Sequence, residues 1–180
     1  MPIVLLDRDG VINHDSIEYI KSPEEWHPIP GSLAAIADLT KAGYGVFVVS
    51  NQSGIGRKYY DLAMLEKIHA KMIAMLAELG GEFTEILYCP HHPNDGCECR
   101  KPKPGLLLKI AEKYAVNWPE VYYVGDSLVD MQVATSMGCI PLLVLTGNGR
   151  ETYAHYDDRK KIQNFPDLAA AIKFILSTQK

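Results

Sequence analysis

Asp7 and Asp9 are carboxylates one residue apart, placed where the apolar run of residues 3–6 stops abruptly in charge. At a strand end the chain can turn so that both point into one pocket. A third acid, Asp126, follows another apolar run. Three acids near one point repel unless a cation lies among them, and hard oxygen donors with room for water suit Mg²⁺. A carboxylate on such an ion stays ionised and can act as a nucleophile, while one off the ion can protonate a leaving alkoxide. In the run Ser50-Asn51-Gln52-Ser53-Gly54, small residues can turn backbone N–H groups toward an anion. Lys101 can offset charge as that anion passes through its transition state. These parts together suit phosphoryl transfer.

A second set of residues has metal-ligating character. Three of the four cysteines, Cys89, Cys97 and Cys99, fall within residues 89–99, where the spacing reads Cys-x-His followed by Cys-x-Cys. Three thiolates and one imidazole form a closed tetrahedral zinc set, structural rather than catalytic. His91 completes the Cys-x-His step and is preferred to His92 as the fourth ligand. Bound zinc would order a loop too polar to pack by itself. Arg100 and Lys101 follow Cys99 directly, so that loop would also place the phosphate-facing lysine. Cys139, beside an apolar stretch, reads as a small buried hydrophobe.

The elements that must position these groups are legible from periodicity. Short apolar runs predict strands over residues 3–6, 44–49, 83–89, 121–124 and 140–145. Helical spacing predicts helices over about 32–42, 62–79, 105–114, 128–137 and 167–176, and residues 146–160 read as a polar, solvated loop. Strands alternating with helices imply an α/β fold: a Rossmann-like, doubly wound parallel sheet with right-handed crossovers. Ligands then bind beyond the carboxyl ends of the strands, where Asp7, Ser50 and Asp126 all fall. The intervals after Asp9 and after Ser50 leave no room for an inserted cap domain.

Composition bounds the rest. The chain has 180 residues, 47% hydrophobic and 22% charged, with 18 basic and 22 acidic side chains for a net charge of −4. That size predicts a single domain over 1–180. The charge lacks the basic excess of a nucleic-acid binder. The longest apolar run, residues 139–145, is far short of the roughly 18 residues a membrane span needs. Charge at Asp7-Arg8-Asp9 comes too early for a signal-peptide core, which predicts a cytoplasmic protein. Apolar residues of the last helix, among them Leu168, Ile172 and Ile175, read as a face packed on the sheet, and a monomer is expected.

Four stretches in order, Asp7-Arg8-Asp9-Gly10-Val11-Ile12-Asn13, Val48-Val49-Ser50-Asn51-Gln52-Ser53-Gly54, Arg100-Lys101-Pro102 and Val124-Gly125-Asp126-Ser127 with Asp130, resemble the motifs of the haloacid dehalogenase superfamily. The resemblance implies a phosphatase in which Asp7 is the nucleophile, forming an aspartyl-phosphate, and Asp9 is the general acid and then base. It implies that Ser50 and Lys101 hold the transferring phosphoryl group. It also implies Mg²⁺ on Asp7, Asp126 and the backbone carbonyl of Asp9, with Asp130 steadying Lys101 or a metal-bound water. The Cys-x-His…Cys-x-Cys loop, with structural Zn²⁺ on Cys89, His91, Cys97 and Cys99, resembles the branch holding heptose bisphosphate 7-phosphatases and histidinol phosphatases. Ser53-Gly54-Ile55-Gly56-Arg57 and Lys101-Pro102-Lys103-Pro104-Gly105 are similar to the heptose side of that branch.

That side implies a small phosphorylated sugar as substrate, on the route to nucleotide-activated heptose for surface polysaccharide. Histidinol phosphate is the alternative substrate. A non-catalytic, zinc-stabilised module is the alternative of a different class, disfavoured because Asp7, Asp9, Lys101 and Asp126 are all present. Without a cap, loops must grip the substrate. Asp15, Ser16 and Tyr19 are expected to meet sugar hydroxyls, Asn51, Gln52 and Ser53 to line the phosphate end, and Arg57 and Arg100 to meet a second, non-reacting phosphate. His14, His27 and His155 read as surface histidines.

Overall fold

A computed structural model describes residues 1–155 and 162–178. Six parallel strands form one sheet in the order β3-β2-β1-β4-β5-β6. They are β1 (Ile3–Leu6), β2 (Gly45–Asn51), β3 (Glu85–Cys89), β4 (Tyr122–Gly125), β5 (Ile140–Val144) and β6 (Gln163–Phe165). The helices are α1 (Ser32–Lys41), α2 (Leu62–Glu78), α3 (Gly105–Lys113), α4 (Leu128–Met137), α5 (Gly149–His155) and α6 (Leu168–Ser177). None of the described helices is long and apolar enough to cross a membrane.

Side chains alternate across a strand, and the core divides accordingly. Val4 and Leu6 of β1, with Val46 and Val48 of β2, face a cluster that includes Ile36 of α1, Met72 of α2 and Ile172 of α6. Ile3 and Leu5, with Phe47 and Val49, face the opposite cluster, built with Leu107 and Ile110 of α3 and Val133 of α4. Both faces of the sheet are therefore covered, which is why its strands read as continuous apolar runs. Trp26, from the segment between β1 and α1, lies fully buried in the first cluster, and Cys139 is buried in the second.

Local signals set the element ends. Asp61 caps α2 by accepting from the Met64 amide at 2.8 Å, and Asp167 caps α6 from the Ala170 amide at 2.8 Å. Gly138, at φ 76°, ends α4 in the left-handed conformation.

The structure corrects two sequence expectations. Part of the polar stretch 146–160 is the helix α5, seated by Tyr153 on Met131 and Leu143. One half-buried aromatic among polar neighbours leaves no apolar period to detect; residues 156–160 of that stretch lie outside the described part. The edge strand β6 was also not expected, because Gln163 and Asn164 are exposed and it has only three residues. Its pairing with β5 forms it, with Leu143 opposite Asn164.

The strand order reverses at β1, which has β2 on one side and β4 on the other. Crevices in doubly wound sheets open at such a switch point. The ends of β1, β2 and β4 deliver Asp7, Ser50 and Asp126 to it.

Candidate active site

The Lys101 ammonium lies at the centre of the cleft floor. It sits 3.0 Å from Oδ1 of Asp7 and 2.6 Å from Oδ1 of Asp130, and donates to the Val49 carbonyl at 2.8 Å. Three acceptors match the three N–H bonds of an ammonium. Burial alone would push the Lys101 pKa down, but Asp130 and then Asp7 outweigh it and hold it well above the ordinary lysine value. Oδ1 of Asp130 also accepts from Tyr123 at 3.2 Å, and its Oδ2 takes the amide and hydroxyl of Ser127 at 3.1 and 2.5 Å. Asp130 is thus filled by protein donors and acts as the anchor of Lys101.

Asp7 and Asp126 are less well compensated. Burial, with the neighbouring Asp130 charge, raises Asp7 to about 7 even though Lys101 opposes the shift. Burial, then Asp7 and Asp130, raises Asp126 to about 8. Oδ1 of Asp7 also accepts from the Arg8 amide at 2.7 Å, and Oδ2 of Asp126 accepts from the Asn148 amide at 2.7 Å. Among the described residues no hydrogen-bond donor reaches Oδ2 of Asp7 or Oδ1 of Asp126. The backbone crowds Asp126 closely: a Cβ on Gly10 or on Gly147, both at positive φ, would overlap its Oδ2.

Asp9 differs electrostatically. Arg8, itself fully buried, donates Nε to Oδ1 at 3.0 Å and Nη2 to Oδ2 at 2.9 Å. Asn13 adds a bond to Oδ1 at 2.9 Å, and Gln52 adds one to Oδ2 at 2.8 Å. Burial would push the Asp9 carboxyl up, but Arg8, then Asn13 and Gln52, outweigh it and hold it below the usual carboxylate value. Gln52 also donates to Oγ of Ser50 at 2.7 Å, and its Oε1 accepts from Tyr60 at 2.7 Å.

Above this floor opens a cleft of about 450 Å³. Asp7, Asp9, Asp15, Ser16, Tyr19, Ser50, Asn51, Gln52, Ser53, Arg100, Lys101 and Asp126 all line it. Arg57 is not among the lining residues; its guanidinium lies over the ring of the lining residue Tyr19, 6.0 Å from the centroid. Asn51 points partly inward, exchanging hydrogen bonds with the Lys101 backbone at 3.0 and 3.2 Å. Ser127, from the motif with Asp126, also lines the cleft, as do Tyr60 and Asn148, which sequence reasoning missed. Asn148 bridges Oδ2 of Asp15 and Oδ2 of Asp126, both at 3.2 Å. The adjacent Gly147 was its sequence signal, hidden in a stretch read as solvated.

Beside the cleft, Cys89, His91, Cys97 and Cys99 bring three Sγ atoms and one imidazole nitrogen within 4.8 Å of one another. Sγ of Cys97 is 3.5 Å from that of Cys89 and 3.7 Å from that of Cys99. Nδ1 of His91 is 3.5 Å from Sγ of Cys89 and 3.2 Å from Sγ of Cys99. A tetrahedral zinc with ordinary bond lengths spaces sulfurs by about 3.8 Å and sulfur from nitrogen by about 3.6 Å. The donor set therefore fits zinc. His92 is otherwise engaged, its Nδ1 accepting from the Asn94 amide at 3.2 Å. The loop rests on the chain after β2, where Gly56 donates to the Pro90 carbonyl at 2.8 Å.

A family model described as haloacid dehalogenase-like hydrolase matches residues 2–138. The chain belongs to the haloacid dehalogenase-like hydrolases. Within them it is similar to the D-glycero-beta-D-manno-heptose-1,7-bisphosphate 7-phosphatase of Pseudomonas aeruginosa, 55% identical over 174 residues, 97% of each chain. The protein of that name from Pseudomonas putida is 57% identical over 152 residues, 84% of this chain and 87% of that relative. The crystal structure of D,D-heptose 1,7-bisphosphate phosphatase from B. bronchiseptica, complexed with magnesium and phosphate, superposes with a TM-score of 0.96. It is 48% identical and 99% of each chain is covered.

In this haloacid dehalogenase-like hydrolase the donor set also suits Mg²⁺. Asp7 and Asp126 each present one carboxylate oxygen free of protein donors, and both are raised by burial among like charges that a divalent cation would offset. Asp130 is the third carboxylate of that cluster, but Lys101, Tyr123 and Ser127 already occupy its oxygens.

Proposed function

We propose that this chain is a Mg²⁺-dependent phosphatase that removes the 7-phosphate of D-glycero-D-manno-heptose 1,7-bisphosphate. The observation that carries this reading is Asp7, 3.0 Å from a buried Lys101 ammonium, in one cleft with Asp9, Ser50 and Asp126. The names of the similar Pseudomonas proteins support the heptose substrate and favour its β anomer.

A carboxylate oxygen of Asp7 attacks the 7-phosphorus. The P–O bond to the sugar breaks, its electron pair passes to the leaving oxygen, and Asp9 gives that oxygen the proton it took from the monoanionic phosphate as the substrate bound. The Asp9 carboxylate then takes a proton from water, the resulting hydroxide attacks phosphorus, and the P–O bond to Asp7 breaks. Asp9 passes that proton to the product, inorganic phosphate leaves, and both groups return to carboxylates. Ser50 and Lys101 hold the phosphoryl oxygens through both halves. Asp7, Asp126 and the Asp9 carbonyl would hold Mg²⁺, which would supply charge to offset the phosphate dianion beside two carboxylates. Asp15, Ser16 and Tyr19 meet the sugar, and Arg100 meets the remaining phosphate. The chain acts as a monomer in the cytoplasm, without a nucleic-acid partner, and zinc on Cys89, His91, Cys97 and Cys99 would hold the loop leading into Arg100.

The deciding measurement is phosphate release with Mg²⁺ from both heptose bisphosphate anomers and from histidinol phosphate. Preference for a heptose bisphosphate is expected, and preference for histidinol phosphate overturns the substrate assignment. Asp7→Asn is expected to abolish release; full activity in that variant would exclude the aspartyl-phosphate route.

A further inference from the structure

Asp9 is surrounded by more donors than a reacting carboxyl can keep. Oδ1 accepts from Nε of Arg8 and Nδ2 of Asn13, and Oδ2 accepts from Nη2 of Arg8 and Nε2 of Gln52. A carboxylate has about four acceptor positions, and all are taken. To carry a proton to a leaving oxygen, or to accept one from water, Asp9 must release a donor.

The donors are not equally free to leave. Arg8 grips both oxygens, and its side chain is 1% exposed. Asn13 is fully buried, and its amide is also tied to the His14 carbonyl at 2.9 Å. Gln52 alone joins Asp9 to the phosphate seat, because its Nε2 also donates to Oγ of Ser50 at 2.7 Å. Its amide can sit only one way round. Oε1 faces the Tyr60 hydroxyl at 2.7 Å, and turning the amide over would set that oxygen against the Asp9 carboxylate. With Oγ of Ser50 accepting from Gln52, the Ser50 proton is left to point at an incoming anion.

We propose that Gln52, clamped by Tyr60, is a positioning residue that couples phosphate occupancy at Ser50 to release of Oδ2 of Asp9 for proton transfer. A phosphoryl oxygen seated by Ser50 competes for the Nε2 hydrogens of Gln52. The bond to Oδ2 then yields, and the oxygen it frees takes a proton from the monoanionic phosphate of the incoming substrate, so Asp9 carries that proton only when there is a leaving group to receive it. This rests on the reading of Asp9 as the acid and base. It gives Gln52 and Tyr60 roles beyond lining the cleft.

The test uses leaving-group dependence. A sugar phosphate departs as an alkoxide and needs the proton; p-nitrophenyl phosphate departs as a stable phenolate and does not. kcat/KM is measured with Mg²⁺ on both substrates for the wild type, Gln52→Met, Tyr60→Phe and, as reference, Asp9→Asn. Positioned acid catalysis is worth roughly 10²–10⁴-fold. Gln52→Met leaves Oδ2 of Asp9 free at all times but without the bond that aims it at the phosphate seat, and is therefore expected to lose about 30-fold on the sugar phosphate and no more than about 5-fold on p-nitrophenyl phosphate. Tyr60→Phe, which keeps the amide but loosens it, is expected to lose about 5-fold on the sugar phosphate alone. Partial unfolding would lower both substrates equally and cannot produce this split. Equal losses on both substrates, or none, overturn the coupling while leaving Asp9 as the acid if Asp9→Asn still shows the split. A wild type inactive on both substrates, or an Asp9→Asn variant without the split, overturns the coupling together with the reading beneath it.

Discussion

The Lys101 ammonium sits 2.6 Å from Oδ1 of Asp130, and both side chains are almost wholly buried. Asp130 comes from the first turn of α4, whereas Lys101 follows the metal-type loop after β3. This contact ties the two halves of the cleft together. Breaking one partner of a buried pair leaves the other uncompensated. Asp130→Ala is expected to cost about 3 kcal/mol in stability, read by urea unfolding. It is expected to lower kcat about 100-fold, because Lys101 then loses its fixed position beside Asp7. Wild-type kcat in a folded Asp130→Ala protein would show that Asp130 does not place Lys101.

Asp7 and Asp126 are raised to about 7 and about 8 before any cation is bound. Mg²⁺ needs both as carboxylates, so protons compete with it below those values. Affinity is expected to rise about tenfold per pH unit through this window and to level off above it. Calorimetric Mg²⁺ titrations across that range check the sign. Affinity independent of pH would mean that these carboxylates are not the ligands.

His91 and His92 separate cleanly in the zinc loop. His91→Ala and Cys97→Ser are expected to lose zinc, while His92→Ala keeps it, because Nδ1 of His92 already accepts from the Asn94 amide. Loss of zinc is expected to lower Tm by about 10 °C and to reduce activity through Arg100 and Lys101. Elemental analysis of chelator-free preparations, with thermal scans, decides the matter. Zinc retained in His91→Ala and lost in His92→Ala would reverse the ligand assignment.

His69 lies behind the cleft on α2, its Nε2 3.4 Å from Nη1 of Arg8. Burial, with the Arg8 charge, lowers its pKa to about 4. The unfolded chain binds the His69 proton near the ordinary value of about 6.5, while the folded chain resists it until about pH 4. The associated stability is full above about pH 6.5 and is lost as pH falls toward about 4, by at most about 3 kcal/mol. Urea unfolding over this range is expected to show that slope in the wild type and a shallower one in His69→Gln. Identical slopes would remove His69 from the acid response.

Most of the sheet was legible because both of its faces are buried. Val4 and Leu6 had to find one core and Ile3 and Leu5 the other, so apolar runs marked the strands without help from long-range contacts. Asp7, Ser50 and Asp126 were legible for a related reason: they follow or end those runs, and parallel strands place such positions at one edge. Lys101 follows the cysteine loop instead and was legible from its motif. The Cys89–Cys99 ligand spacing is equally local.

What depends on residues far apart in the chain needed the tertiary structure. β6 exists because Asn164 pairs with Leu143, and α5 is held by Tyr153 on Met131 and Leu143; neither segment carries its own apolar period. Asn148 reaches Asp15 and Asp126 only because the chain after β5 folds over β1 and β4. Arg57 reads in the sequence as a charge for a second phosphate, and only the fold shows its guanidinium over the Tyr19 ring. Gln52 reads as a cleft residue in the sequence, but only its bonds to Asp9, Ser50 and Tyr60 show which groups it joins. The chemical inventory was local, set by residue types at strand ends. The hydrogen-bond partners were not, because a bond forms between groups that only the folded chain brings within 3 Å of each other.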